Sequence, residues 1–239
     1  FCELMTGENF DDTVQRRGGG RNGLGVKITN LFSTRFECEL VDQKTGLFYK
    51  QVCETNMGTI HPPIIKPLTA AQKRSGKSST TVRWVPDYAR IGMATSPPLD
   101  AATFKFLAMR AYDAAACTPT NLTVMFNGER LQLKTLKDFA ATMGDVYARE
   151  EVVDDAGRIA LEFCIVAPTA STVGFVNGIR CSNGTVVELL HRRIFDALAS
   201  ILERKKKTVP SSSRMRNFYA IVCKASIVNP SFASQTKDK

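Results

Sequence analysis

Long apolar runs are absent from this 239-residue chain. No stretch approaches the roughly 18 apolar residues that a membrane-spanning helix needs, so no membrane partner is expected. Histidine is scarce, with only His61 and His191. None of the seven cysteines (Cys2, Cys38, Cys53, Cys117, Cys164, Cys181 and Cys223) forms a C-x-x-C pair, and a structural zinc site is not expected. The odd count and wide spacing predict reduced, buried thiols in an intracellular chain. Acidic residues are in deficit, 23 against 32 Lys and Arg, for a formal charge of +9. That balance points to a polyanionic partner. Phe1-Cys2-Glu3-Leu4-Met5-Thr6 has neither an initiator Met nor a signal-peptide pattern, and reads as the start of a piece of a longer chain. Asn121-Leu122-Thr123 and Asn183-Gly184-Thr185 match the glycosylation sequon by chance on this reading.

What the chain does have is glycine, concentrated in Gly18-Gly19-Gly20-Arg21-Asn22-Gly23-Leu24-Gly25-Val26-Lys27. Glycine permits positive φ and lets a ligand approach the backbone closely. Ile28, Leu31 and Phe32 follow with helical spacing. A helix opened by such a cluster directs free N–H groups at an anion, and Lys27 adds a formal charge about one turn in. Together these features form a phosphate cradle. Gly18-x-Gly20-x-x-Gly23 formally matches a dinucleotide fingerprint, but the charged Asp11–Arg17 stretch before it is no buried strand. A P-loop needs Lys directly after its last glycine, and here Val26 intervenes. A flexible linker leaves the helix-like continuation unexplained.

Residues 36–40 and 47–52 read as strands joined by the turn Asp42-Gln43-Lys44-Thr45-Gly46. The Pro-rich run from His61 to Pro67 leads into Ala70–Ser79, which has no large apolar side chain and is expected to be a mobile loop; its Gly76-Lys77-Ser78 is composition and not a P-loop remnant. A strand over 80–85, a helix over 99–116 and a strand over 122–129 ending in an Asn-Gly turn complete the first part. From about Leu136 come segments at 136–143, 146–153 and 159–166, then Val173–Gly178. Thr185–Arg204 is the clearest helix, with Val187, Leu190, Ile194, Leu198 and Ile201 in one stripe and Thr185/Glu188 as a capping box. Nine cations lie between Arg192 and Lys224, among them Arg204-Lys205-Lys206-Lys207, opposed only by Asp196 and Glu203. Pro210 and Ser211–Ser213 put Arg214 in or near a flexible loop able to track a phosphate backbone without reading sequence.

Several of these stretches together resemble the eukaryotic-type DNA topoisomerase II family. They are the glycine segment with Asn30-Leu31-Phe32-Ser33-Thr34 and Phe36, then Arg110-Ala111-Tyr112-Asp113, Phe175-Val176-Asn177, and Asn229-Pro230-Ser231-Phe232-Ala233-Ser234-Gln235-Thr236-Lys237. The resemblance implies an α+β chain: residues 1–134 as the later part of a GHKL-type ATPase domain, a mixed sheet with helices, and 135–239 as a transducer domain of ribosomal S5-like fold.

It further implies an ATP lid at Gly20, Arg21, Asn22, Gly23, Leu24, Gly25, Val26 and Lys27, with Asn9 at the nucleotide. Gly7 and Glu8 stand where the family has serines. Gln235, Thr236 and Lys237 would form the loop that senses the γ-phosphate, with Lys237 the catalytic residue. Lys205, Lys206 and Lys207 would face double-stranded DNA within a homodimer. Magnesium is expected with the ATP, but its asparagine ligand, the glutamate base and the Asp-x-Gly-x-Gly loop do not occur in this chain and are expected upstream, as are the cleavage residues elsewhere. The fragment alone is therefore expected neither to hydrolyse ATP nor to cut DNA. The family default is nuclear, with a mitochondrial alternative. The rival is a non-catalytic nucleic-acid-binding or scaffold protein derived from a topoisomerase. Another superfamily member, such as a mismatch-repair or chaperone protein, would lack the Gln-Thr-Lys ending.

Overall fold

The computed structural model describes residues 1–3, 6, 7, 9, 11, 13–20, 22–93 and 100–232. The chain forms two compact units, Phe1–Asp11 with Gly20–Pro98, and Asp12–Gly19 with Leu99–Lys239. The second unit takes in the chain from Leu99 onward. The helix Ala101–Cys117 buries Ala116 in the same apolar cluster as Leu136, Phe139 and Val222, so it belongs with the second unit.

The first unit opens with α1 (Gly25–Leu31), followed by β1 (Ser33–Asp42), β2 (Leu47–Glu54), β3 (Thr59–Ile60), β4 (Ile64–Pro67), α2 (Ala70–Ser75) and β5 (Ser79–Pro86). The sheet runs β3-β2-β1-β5, with β4 also on β2. Its pairings are antiparallel. Period-two alternation sends Phe36 and Cys38 inward, where they meet Cys53 and are flanked by Val26, Tyr49 and Val82. The opposite face carries a paired charge ladder. Lys50 reaches Glu37 at 2.9 Å and Glu39 at 3.0 Å, and Arg83 bridges the same two carboxylates. The hydrogen bond from Lys50 holds the Glu37 carboxyl below its ordinary range, and Arg83 does the same for Glu39.

Ala70–Ser79, expected as a mobile loop, instead contains α2. Thr69 and Gln72 form a reciprocal capping box, and Gly76 closes the helix at φ +62°. These local hydrogen bonds stabilise a helix that buries no side chain.

The second unit contains α3 (Ala101–Cys117), the short hairpin β6 (Met125–Phe126) and β7 (Glu129–Arg130), α4 (Leu136–Ala141), β8 (Asp145–Val153), β9 (Ile159–Ala167), β10 (Val173–Val176), β11 (Ile179–Arg180), α5 (Thr185–Arg204), α6 (Ser212–Met215) and β12 (Ala220–Ala225). The expected strand over 122–129 is therefore shorter and folds back at Asn127-Gly128, both at positive φ as a tight hairpin requires. The sheet order is β11-β10-β12-β9-β8, with β10 parallel to β12 and the other pairs antiparallel. Alternation along β12 splits its side chains between two cores. Val222 joins Leu136, Phe139 and Phe175 beside α4, while Ile221 and Cys223 join Val187 and Leu190 of α5. Burial pushes the Cys223 thiol up to about 12, which keeps it protonated and inert at neutral pH.

Helix α5 has the expected bounds, Thr185–Arg204, but not the expected cap or a fully covered stripe. Its N-cap is Gly184 with no side-chain cap, so Thr185 and Glu188 make no capping box. Glu188 is instead held by the Arg216 guanidinium at 3.1 and 2.9 Å, and that hydrogen bonding lowers its carboxyl below the ordinary value. The apolar stripe is covered only through its first half, with Leu198 36% and Ile201 40% exposed.

His191 of α5 is buried between Tyr219, 3.3 Å from Nδ1, and Thr172, 3.2 Å from Nε2. Burial, assisted by the Arg216 charge and opposed by Glu188, lowers its pKa below 6.5. The folded ring thus stays neutral where the unfolded ring begins to protonate. The unfolded chain then binds more protons below about pH 6.5, and stability falls as pH drops through that window. Thermal melts between about pH 7.5 and 5 should show this decline, and His191→Gln should flatten it.

Candidate functional site

The glycine lid and α1 lie in the first unit. Asn9 donates from Nδ2 to the Gly20 carbonyl at 3.1 Å, so it anchors the lid through the backbone. Gly23 sits at φ +60°, and a Cβ there would lie 2.8 Å from the Gly7 nitrogen and 2.9 Å from its Cα. Gly7 and Gly23 are thus packed backbone to backbone. Gly20 and Gly25 have open space where a Cβ would stand and do not adopt positive φ.

Lys27, on the first turn of α1, is only 6% exposed. Its Nζ lies 3.4 Å from where a Gly23 Cβ would be. It makes no hydrogen bond or ion pair with any described residue. An ammonium on so closely packed a side chain, with no counter-charge among the described residues, is stabilised by the arrival of an anion. No side chain caps α1 at its N-cap Leu24, and no acidic residue lies in its first turn. Asn22 and Leu24 are half-buried, and Val26 turns into the sheet core, so Val26 contributes packing. Arg21 lies outside the described residues, as do Gln235, Thr236 and Lys237.

A clamp that no sequence pattern announced belongs to the second unit. The Arg16 amide donates to Asn229 Oδ1 at 2.8 Å, and the Asn229 amide donates back to the Arg16 carbonyl at 2.8 Å. The Arg16 guanidinium also reaches the Pro230 carbonyl at 3.2 Å. Arg17 pairs with Asp154 at 3.2 Å and donates to Ser226. The chain just before the lid is therefore fastened to the start of the Asn-Pro-x-Phe segment. Asn177, at φ +49°, brackets Ile227 by two hydrogen bonds of 2.8 Å.

The cationic segment is only partly as expected. Arg216 and Lys224 are engaged internally, with Glu188 and with Glu162. Arg214 stands in the short capped turn α6. Lys205, Lys206 and Lys207 are exposed and form no ion pair among the described residues. They end α5 in a Schellman arrangement, with Lys207 N–H on the Leu202 carbonyl and Lys206 N–H on the Glu203 carbonyl. Lys206 occupies the left-handed position, φ +53°, that usually selects glycine.

Among the described residues no cluster of three or more His, Cys, Asp or Glu could hold a metal, and no helix is long and apolar enough to cross a membrane.

A family model described as DNA gyrase B matches residues 130–239. All of the chain is similar to DNA topoisomerase 2 of Candida glabrata and of Saccharomyces cerevisiae, at 30% identity to each. The chain spans only 18% and 17% of those relatives' lengths. The crystal structure of the ATPase and transducer domains of DNA topoisomerase II from Balamuthia mandrillaris superposes with a TM-score of 0.85 at 29% identity, covering 100% of this chain and 60% of that one. The ATPase region of Saccharomyces cerevisiae topoisomerase II gives 0.82 at 29% identity, again over 100% of this chain and 60% of that one. The topoisomerase IV ATP-binding domain of Francisella tularensis, at 23% identity and a TM-score of 0.58, shares the fold.

Proposed function

This chain belongs to the ATPase-region family of the type II DNA topoisomerases, with the α+β fold of their ATPase and transducer domains, and from that premise we propose that it is part of an ATP-operated DNA gate. Residues 1–134 would be the later part of the ATPase domain, and 135–239 the transducer. The observation that carries the reading is Lys27, a lysine only 6% exposed whose ammonium has no partner among the described residues, set beside Gly23. A polyphosphate is the ligand such a site fits.

In this reading the lid from Gly20 to Lys27, with Asn22, binds the phosphates of ATP, and Asn9 holds the lid through Gly20. Lys237 and Gln235 engage the γ-phosphate, and Thr236 lies between them. Hydrolysis of that phosphate is the chemistry ATP supplies; these residues contribute position and charge. No described residue is assigned to magnesium, and no step here depends on it. The Arg16–Asn229 clamp ties the approach to the lid to the root of the sensor segment, so both respond together to the nucleotide. Closure of a homodimer would capture a duplex, with Lys205, Lys206 and Lys207 on its phosphates, for passage through a transient break in another. A nuclear home suits that role, with a mitochondrial one as the alternative.

The test uses the full-length protein and its Lys237→Ala variant, with a non-hydrolysable ATP analogue and chemical crosslinking of the dimer. The parent should close with the analogue, and the variant should lose closure at least tenfold. A parent that neither binds the analogue nor closes would leave the scaffold reading in its place.

A further inference from the structure

We propose a second phosphate-tracking surface on the first unit, built around α2, that binds the backbone of duplex DNA. It rests on the reading that this chain works on DNA, and adds a face that reading does not use.

The first unit treats its charges in two ways. Glu37, Glu39, Lys50 and Arg83 satisfy one another across the sheet. Lys44, Lys73, Arg74 and Lys77 make no ion pair among the described residues, and all four are exposed. These four are brought together by Gln43. Its side-chain amide donates to the Gln72 carbonyl at 2.7 Å and to the Lys77 carbonyl at 3.2 Å, while its backbone amide donates to Ser78 Oγ at 3.0 Å. The β1–β2 turn carrying Lys44 is thereby bonded to both ends of the segment carrying Lys73, Arg74 and Lys77. Lys66 on neighbouring β4 lies over the Phe48 ring at 5.1 Å, likewise without an acidic partner.

Acidic relief is missing nearby. Between Gln43 and Ser78 the only acidic residue is Glu54, which is occupied by Arg35 and His61. Asp42, at the turn, accepts from Lys44 N and Thr45 Oγ1. Helix α2 adds nothing to the core, yet it is capped at both ends and tethered. Its fixed structure serves to present cations. The patch offers no exposed aromatic ring for stacking bases, because Lys66 covers Phe48. That favours sequence-independent contact with duplex phosphates over single-strand capture.

The experiment measures binding of the full-length protein to a labelled duplex of mixed sequence, from about 50 to 200 mM salt. Lys73→Ala/Arg74→Ala/Lys77→Ala is compared with Lys205→Ala/Lys206→Ala/Lys207→Ala. Losing three phosphate contacts should reduce the slope of log affinity against log salt by about 2 to 3. Because α2 buries nothing, its variant should melt with the parent. A photocrosslinker at position 77 of the otherwise unaltered protein should label the duplex, which tests the surface independently of the triple variant. An unchanged slope with no crosslink overturns the proposal. An unchanged slope with crosslinking to polyglutamate in place of duplex also overturns it, in favour of an acidic polypeptide. Loss in the Lys205 series alone removes this surface and leaves the gate reading intact, whereas a parent that binds no duplex removes both.

Discussion

Lys224→Met should lower the unfolding midpoint of the second unit by roughly 6 to 12 °C, read by calorimetry on the full-length protein. Lys224 Nζ lies 2.7 Å from Glu162, a carboxylate only 2% exposed on the face of β9 that also carries Cys164 and Val166. Arg149 Nε holds the other oxygen at 3.0 Å and is itself shared with Glu151. Removing one partner leaves a buried charge half compensated, at a cost of about 3 kcal/mol, and each kcal/mol moves the midpoint of a unit this size by about 2 to 4 °C. The companion variant separates charge from packing. Lys224→Met with Glu162→Leu removes both members, and should recover more than about 1 kcal/mol of the loss, since apolar replacements of a buried pair are often neutral. If the double variant is no more stable than the single, Glu162 matters for its shape and not its charge.

Gly23→Ala should weaken binding of an ATP analogue to the full-length protein by about tenfold or more. A left-handed backbone costs a residue with a Cβ roughly 1 to 2 kcal/mol, and about 1.4 kcal/mol is a factor of ten. At this position the methyl would also collide with Gly7, the segment that positions Asn9 against Gly20. Gly25→Ala is the contrast, since its Cβ would meet nothing and it lies inside α1. A fluorescence titration should find Gly25→Ala near the parent. A large loss there would mean that ligand approach, and not the fold, demands glycine at 25.

These positions show what the sequence could reveal. Period-two alternation at Phe36 and Cys38, and the helical stripe through Val187, Leu190 and Ile194, located two cores before any coordinates, because burial of one face leaves a periodic trace. Glycine density marked the lid, yet did not tell which glycine needs its freedom; that depends on Gly7, sixteen positions away in the chain. The burial of Lys27 was equally silent, since a lysine reads as solvated until its neighbours are known. Helix α2 was missed because its stability comes from reciprocal capping at Thr69 and Gln72 and from the Gln43 tether, with no apolar stripe to betray it. The false capping box at Thr185 failed for the reverse reason. Glu188 had a better partner in Arg216, which a local motif cannot weigh.

Lys206 sets endurance against capture at a single residue. A selection for heat resistance alone would trade this lysine for glycine, gaining up to about 1 kcal/mol by relieving its left-handed backbone. Each such gain would delete the middle cation of a triplet aimed at solvent. A lysine at this position accepts a weaker helix end in exchange for charge, and a Lys206→Gly version of this protein would be sturdier and, on the proposed role, a poorer trap for DNA.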